Sequence, residues 1–337
     1  MMDTPFYFIG IDIAKLKFDV AVKKSAKVYQ HHQFENHPQG FAALSEWLNS
    51  FSDKPLYIVM EATNVYHERL CEYLYAAGHS VVVINPKCAA NFAKGLNLRS
   101  KTDKADAKLL ARLAESYVHE FDLWQPKGNN EKALLRQLRH LEHLKAALTK
   151  EKVRLQMLLD EYAMASSERL IAFLECEVKT VETHIHQLVK QDDQLKHNHH
   201  LLSSIPAISK TTACWLLAIL GDGTRFKNGR AAATYAGLTP MVRQSGTSVD
   251  KRVGISRIGQ SDLRKILYMP AVSFCFGKYK DSIYSPFVQR LLERNKLAKK
   301  AVIVALMRKL VTIAQSVLKY QQPFNEERYA KMCLDKA

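Results

Sequence analysis

Residues 5–36 read PFYFIGIDIAKLKFDVAVKKSAKVYQHHQFEN. Three β-rich runs, 5–14, 16–24 and 27–36, follow one another with only one or two residues between them, which is the pattern of consecutive hairpins and predicts a β-meander. Pro38 opens a helix with Phe41, Leu44, Leu48 and Phe51 at helical spacing. An apolar strand at 55–62 (PLYIVMEA), a helix over about 66–77 closed by Gly78, a second apolar strand at 80–86 and a helix over about 103–117 complete the segment. The order βββαβαβα predicts an α/β layer on a mixed sheet.

Beyond residue 125 the period changes. Leu134, Leu141, Leu148, Leu155 and Tyr162 recur every seventh residue and predict one long helix; after AMASS (163–167), Ile171, Leu174, Val178, Val181, Ile185, Leu188 and Leu195 form a second stripe. The pair reads as an antiparallel helical hairpin or as a dimerising coiled coil. KHNHH (196–200) is expected to be a solvated loop rather than a metal site, because nothing nearby completes a ligand set. From 201 the chain reads as helical: Pro206-Ala207-Ile208-Ser209 before an apolar helix at 211–220, a turn at Gly221-Asp222-Gly223, a polar segment over 243–248, helices near 261–276 and 285–320, and a loose tail after Pro323. The expected divisions are 1–125, 126–200, 201–325 and a tail at 326–337.

The 337 residues carry 49 Lys and Arg against 33 Asp and Glu. Residues 1–125 hold 14 basic and 14 acidic side chains, 126–200 hold 12 and 11, and 201–337 hold 23 and 8. A positive excess gathered in the last segment is the footprint of nucleic-acid binding. Disorder is excluded as the main state by a 47% apolar composition. The longest unbroken apolar stretches, 213–220 and 301–307, fall far short of the ~20 residues of a membrane span. The N-terminus lacks a basic segment followed by a cleavage site, and the six cysteines lie far apart, so a cytoplasmic protein with reduced, structural thiols is expected.

Four acids sit where hydrophobes are favoured. Asp12 alternates with Ile11 and Ile13 in a strand, and Glu61 ends the run Tyr57–Met60. In the helix beginning near 103, stepping back from Leu110 reaches Asp106 and then Asp103, on the face that packs inward. Asp103 alone could be a helix N-cap and Asp12 alone an edge-strand charge, but neither explains the set. Buried carboxylates need a cation, and an all-oxygen donor set suits Mg²⁺ in phosphoryl chemistry.

Gly10-Ile11-Asp12-Ile13-Ala14-Lys15, Glu61-Ala62-Thr63-Asn64-Val65-Tyr66, Asn85-Pro86 and Lys101-Thr102-Asp103-Lys104-Ala105-Asp106-Ala107 resemble the DEDD motifs of the IS-one-ten insertion-sequence transposases, relatives of the Piv-type DNA invertases. Ala236-Gly237-Leu238-Thr239-Pro240, Gln244-Ser245-Gly246-Thr247 and Leu263-Arg264-Lys265 resemble the family's C-terminal transposase domain. The resemblance implies an RNase H-like (RuvC-like) catalytic domain, to which the heptads add a coiled-coil hairpin and the charge and helical pattern a basic, mainly helical C-terminal transposase domain. It implies Mg²⁺ held by Asp12, Glu61, Asp103 and Asp106, and Ser245 as nucleophile. Without it, Ser248 or Ser256 would serve equally well. Donor and target DNA and a bridge RNA that guides the reaction are the implied partners; the heptads add an expected homo-oligomer formed through the coiled coil, and the short apolar runs predict no membrane. Arg243, Lys251, Arg252, Arg257, Arg264 and Lys265 are the cations expected to meet nucleic-acid phosphates. The family often has Pro-Gly-Ile-Gly where this chain has Pro206-Ala207-Ile208-Ser209, which weakens a backbone phosphate nest there. Competing functions are a Piv-type invertase, a metal-only RuvC-like nuclease or resolvase, and a non-enzymatic basic coiled-coil protein.

Overall fold

The computed structural model describes residues 6–25, 27–51, 53–97, 102–245, 249–256 and 258–334, with the backbone alone for 242–253 and 332–334. The chain divides into two compact units, 1–126 and 127–337.

In the first unit β1 (Tyr7–Ile13), β2 (Lys17–Lys23) and β3 (Tyr29–Glu35) form the expected meander, followed by α1 (Pro38–Asn49), β4 (Leu56–Glu61), α2 (Glu68–Ala76), β5 (Ser80–Ile84), α3 (Pro86–Gly95) and α4 (Asp103–Ser116). The sheet order is β3-β2-β1-β4-β5; β1, β2 and β3 pair antiparallel, whereas β4 and β5 run parallel to β1. Strict alternation sorts the faces. Ile9, Ile11 and Ile13 with Phe18, Val20 and Val22 lie against Phe41, Leu44 and Leu48 of α1 and Leu70 and Leu74 of α2. On the other face Phe8, Val59 and Val82 meet Leu110, Leu113 and Ala114 of α4. Each Ile or Leu fully withdrawn from water contributes about 1.5–3 kcal/mol.

Gly10 sets how closely α4 approaches β1. A Cβ at this position would fall 2.0 Å from the Ala107 carbonyl oxygen and 2.3 Å from the Ala111 nitrogen. Only glycine lets helix backbone lie on strand backbone here. Thr102 caps α4, its Oγ1 accepting from the Ala105 N–H at 3.2 Å. Asp103 therefore lies inside the first turn and is not the cap.

The second unit opens with α5 (Asn129–Leu155) and α6 (Glu161–Gln191), joined at 156–160. They run antiparallel: Lys145 pairs with Glu182 at 2.7 Å, Lys152 with Glu175 at 2.6 Å, and Ser167 donates to Glu151 at 2.6 Å. The heptad reading carried the first helix through Tyr162, but the helix ends at Leu155, leaving Leu159 97% and Tyr162 80% exposed. The cause is Asp160, whose carboxylate accepts from the Ala163 N–H at 2.8 Å and starts a new helix. AMASS consequently lies within α6 rather than at the break.

Next come α7 (Asp193–Ser203), α8 (Lys210–Leu220), α9 (Gly229–Tyr235), β6 (Pro240–Ser245), β7 (Val249–Ile255), α10 (Ser261–Phe276), α11 (Ser285–Glu293), α12 (Lys299–Tyr320) and α13 (Glu326–Leu334). KHNHH is not the expected loop: it lies in α7, capped by Asp192, with Asn198 buried and His199 Nε2 3.0 Å from the Lys210 carbonyl oxygen. Ala207 has φ 76°, so the turn before α8 keeps a left-handed geometry that glycine would adopt at lower cost. The polar segment at 243–248 belongs in part to an antiparallel β6–β7 hairpin. The tail is anchored rather than loose, since Tyr329 of α13 is buried against Tyr284 and Phe324. Leu134, Leu138 and Leu141 of α5 share one core with α8, α10 and α12. Among the described residues α12 is the one helix long and apolar enough to cross a membrane, and Leu306, Leu310, Ala314 and Leu318 bury its inner face in that core.

Candidate active site

Asp12 continues the row Phe8, Gly10 on β1, and Glu61 continues Tyr57, Val59 on β4, so both stand on the α4 face. β1 and β4 are parallel, and the last register pair is Ile11 with Met60, one residue short of both acids. Two carboxylates thus occupy the carboxyl ends of adjacent parallel strands, the end where open α/β sheets bind ligands. The close seat over Gly10 brings in the first turn of α4, in which Asp106 is half-buried, whereas Asp103, expected on the inward-packing face, is exposed because it lies at the very start of the helix.

The electrostatics of Asp12 register this convergence. Burial, then the carboxylates of Asp106, Asp103, Glu61 and Asp19, push it up from the usual 3.8 to about 6. Four of these five causes are like charges, which is the signature of acids sharing a site. Lys17 Nζ lies 3.5 Å from Asp103 Oδ2. Among the described residues the acids do not close into a ready-made metal cage. Asp12, Glu61, Asp103 and Asp106 together offer carboxylate oxygens alone.

Asp19 was not singled out from the sequence. It pairs across the ladder with Asp12, is 4% exposed, and accepts from Gln33 Nε2 at 2.9 Å while its other oxygen lies 2.6 Å from His31 Nε2. The available signal was its place in the run FDVAV, where an acid interrupts apolar residues. Asn36 was missed as well. Its Nδ2 donates to the Ala14 carbonyl at 3.0 Å and the Tyr66 carbonyl at 3.2 Å, tying the loop after β1 to the loop after β4. Asn36 thereby joins the two loops that follow the strands carrying Asp12 and Glu61. Asn36→Ala is expected to weaken divalent-cation binding about tenfold with little change in melting temperature, and excess Mg²⁺ should rescue it. Mn²⁺ titration followed by calorimetry checks this, and an unchanged affinity would refute the role.

The C-terminal candidates divide. Ser245 is the last residue of β6 and pairs with Val249; Arg243 pairs with Lys251, and Arg252 with Val242. Arg257 and Ser248 lie outside the described residues, whereas Ser256 N–H donates to the Thr239 carbonyl. Arg264 Nη1 donates to the Ala236 carbonyl at 2.9 Å and the Gly259 carbonyl at 3.3 Å, and Lys265 pairs with Glu142. Both cations brace the unit internally. The buried thiols of Cys214 and Cys275 are pushed up to about 11 by burial, which keeps them protonated and inert.

Comparison with known proteins bears on the whole chain. The family profile for DEDD-type IS110 transposases, described as "Transposase", matches residues 9–164, and the profile of the "Transposase IS116/IS110/IS902 family" matches residues 199–283. The chain is 38% identical to the "Pilin gene-inverting protein" of Moraxella bovis, over 95% of this chain and 98% of that one. The protein of the same description from Moraxella lacunata matches to the same extent. A "Probable family 20 transposase" of Pseudomonas aeruginosa is 26% identical over 92% of this chain and 96% of its own. With both halves matched in order and a relative aligned end to end, the chain belongs to the IS116/IS110/IS902 transposase family and is a DNA transposase or recombinase that cuts and rejoins DNA.

Proposed function

We propose that the chain is the recombinase of an insertion sequence, cutting and rejoining DNA through the Ser245 hydroxyl with the assistance of a Mg²⁺-binding carboxylate cluster of Asp12, Glu61, Asp103 and Asp106. The observation that carries this reading is the convergence of parallel neighbours β1 and β4, whose carboxyl ends carry Asp12 and Glu61, with the α4 first turn of Asp103 and Asp106 that the seat on Gly10 brings in. The donor set is all oxygen and mutually repulsive, which fits Mg²⁺; when bound, the ion would neutralise charge developing on the phosphoryl oxygens. A sheet of order β3-β2-β1-β4-β5, antiparallel in its first three strands and parallel in its last two, supports a RuvC-like, RNase H-type assignment for the first unit.

Ser245 is assigned as nucleophile from the motif Gln244-Ser245-Gly246-Thr247. Attack by its Oγ on phosphorus would form a phosphoserine ester and expel a deoxyribose hydroxyl. Return of that hydroxyl, or of another strand's, would re-form a phosphodiester and free the serine, so no ATP is needed. Arg243, Lys251, Arg252 and Arg257 supply cations near that serine in sequence. Guidance by a bridge RNA follows from the family resemblance. Met157, Leu159, Tyr162 and Phe173, exposed around the α5–α6 turn, support a homo-oligomer formed through the hairpin.

A second reading, inversion of a DNA segment in place, is favoured by the 38% identity to the pilin gene-inverting proteins. The deciding test incubates the purified chain, Mg²⁺ and labelled DNA carrying the element's junction, with and without RNA transcribed from the element's ends. Mg²⁺-dependent cutting and rejoining of the junction is expected. Cutting only at paired sites flanking an invertible segment would favour inversion, and cutting without a divalent cation would overturn the carboxylate reading.

A further inference from the structure

Residues 1–125 are electrically balanced, yet the cations of the first unit are not evenly spread. Lys104, Lys108 and Arg112 recur every fourth residue along α4 and so line one face of that helix. This face overlooks the outer strands. Lys108 Nζ lies over the Tyr29 ring of β3, 5.7 Å from its centroid, Arg112 acts electrostatically on the same tyrosine, and one turn on Glu115 pairs with Lys23 of β2. Lys17 and Lys23 are engaged by Asp103 and Glu115, whereas among the described residues no ion pair engages Lys104, Lys108 or Arg112. Lys104 and Arg112 are exposed and Lys108 is half-buried. The line starts beside Asp103 and advances ~6 Å per cation along the helix axis.

We infer that this line is a track for the sugar-phosphate backbone of the DNA strand cleaved at the acid centre. The inference rests on the reading of the four acids as the cleavage site. Three unneutralised cations leading away from a carboxylate cluster resolve an electrostatic problem: a phosphodiester approaching four acids is repelled unless cations flank its path. The basic residues at 201–337 hold DNA generally, and the α4 line aligns one strand with the acids.

The test uses the full chain and compares Lys104→Ala/Lys108→Ala/Arg112→Ala with an equal-charge control, Arg69→Ala/Lys87→Ala/Lys94→Ala, whose three cations are exposed on α2 and α3. Affinity for end-labelled single-stranded junction DNA is measured across salt. The α4 variant should lose about two units of salt slope and bind roughly tenfold to a hundredfold more weakly at low salt, whereas the control should match the parent. Melting temperature and Mn²⁺ affinity should stay unchanged, which separates a lost track from a lost fold. An unchanged slope, an equal loss in the control, or a loss seen with RNA but not with DNA would each overturn the track. If Asp12→Ala still cuts DNA, the cleavage reading fails on its own, while the slope comparison still reports whether DNA lies on α4.

Discussion

Asp12→Ala is expected to lower strand cleavage by about a thousandfold or more while leaving DNA affinity within a few-fold of the parent. On the proposed reading, the catalytic loss follows from removing the acid that the other three motif acids crowd, where a bound cation would contribute several kcal/mol of transition-state stabilisation. Affinity survives because the positive excess lies at 201–337. Loss of both properties together would instead indicate misfolding. Asp12→Asn separates charge from shape: the amide keeps the volume beside Gly10 but cannot ionise, and it should be as inactive as alanine.

A pH experiment checks the same residue without catalysis. Asp12 titrates at about 6 in the fold against 3.8 ordinarily, so between those values the native protein holds a proton that the unfolded chain has released. Stability of the metal-free chain should therefore fall as pH rises through this window and level off above it, by on the order of 1 kcal/mol after solvent screening. Mg²⁺ competes with that proton. It should raise the melting temperature clearly at pH 7.5 and little at pH 5, and Asp12→Asn should abolish the difference. Equal Mg²⁺ stabilisation at both pH values would mean that the cation binds elsewhere.

What the sequence disclosed follows from how each element is encoded. The first unit was legible because its strands are short β-rich runs separated by turns or helices, and because Asp12 and Glu61 interrupt apolar runs at the ends of strands that the sheet pairs in parallel. Asp19 breaks the same rhythm one strand away, but its significance depends on the β1–β2 register, which a single strand does not encode. Asn36 acts through two backbone carbonyls, and no residue pattern announces such contacts. The β6–β7 hairpin stayed hidden because its strands, PMVRQS and VDKRVGI, mix apolar and polar residues without a sustained alternation. The heptads overran Leu155 because periodicity is blind to a cap, and one aspartate at 160 outweighed two further turns of apolar spacing.

Ser245→Ala is the second large effect: the protein-linked DNA strand trapped by denaturing quench should disappear, and rejoining should fall to background. A serine hydroxyl acts as leaving group as well as nucleophile in this scheme, so its removal stops both halves of the reaction while leaving Mg²⁺ binding at the four acids intact. That contrast makes the variant informative, since Asp12→Ala should lose metal affinity and Ser245→Ala should keep it. Ser256→Ala is the companion control, because the motif does not include it and the substitution keeps the backbone N–H that donates to the Thr239 carbonyl. An adduct that is protease-sensitive in the parent, absent in Ser245→Ala and retained in Ser256→Ala would fix the nucleophile. Clean Mg²⁺-dependent cutting by Ser245→Ala, with no adduct in either protein, would transfer the attack to water and make the four acids a complete nuclease centre. In that case the energy of the broken phosphodiester would be lost at each cut, and rejoining would require a second enzyme.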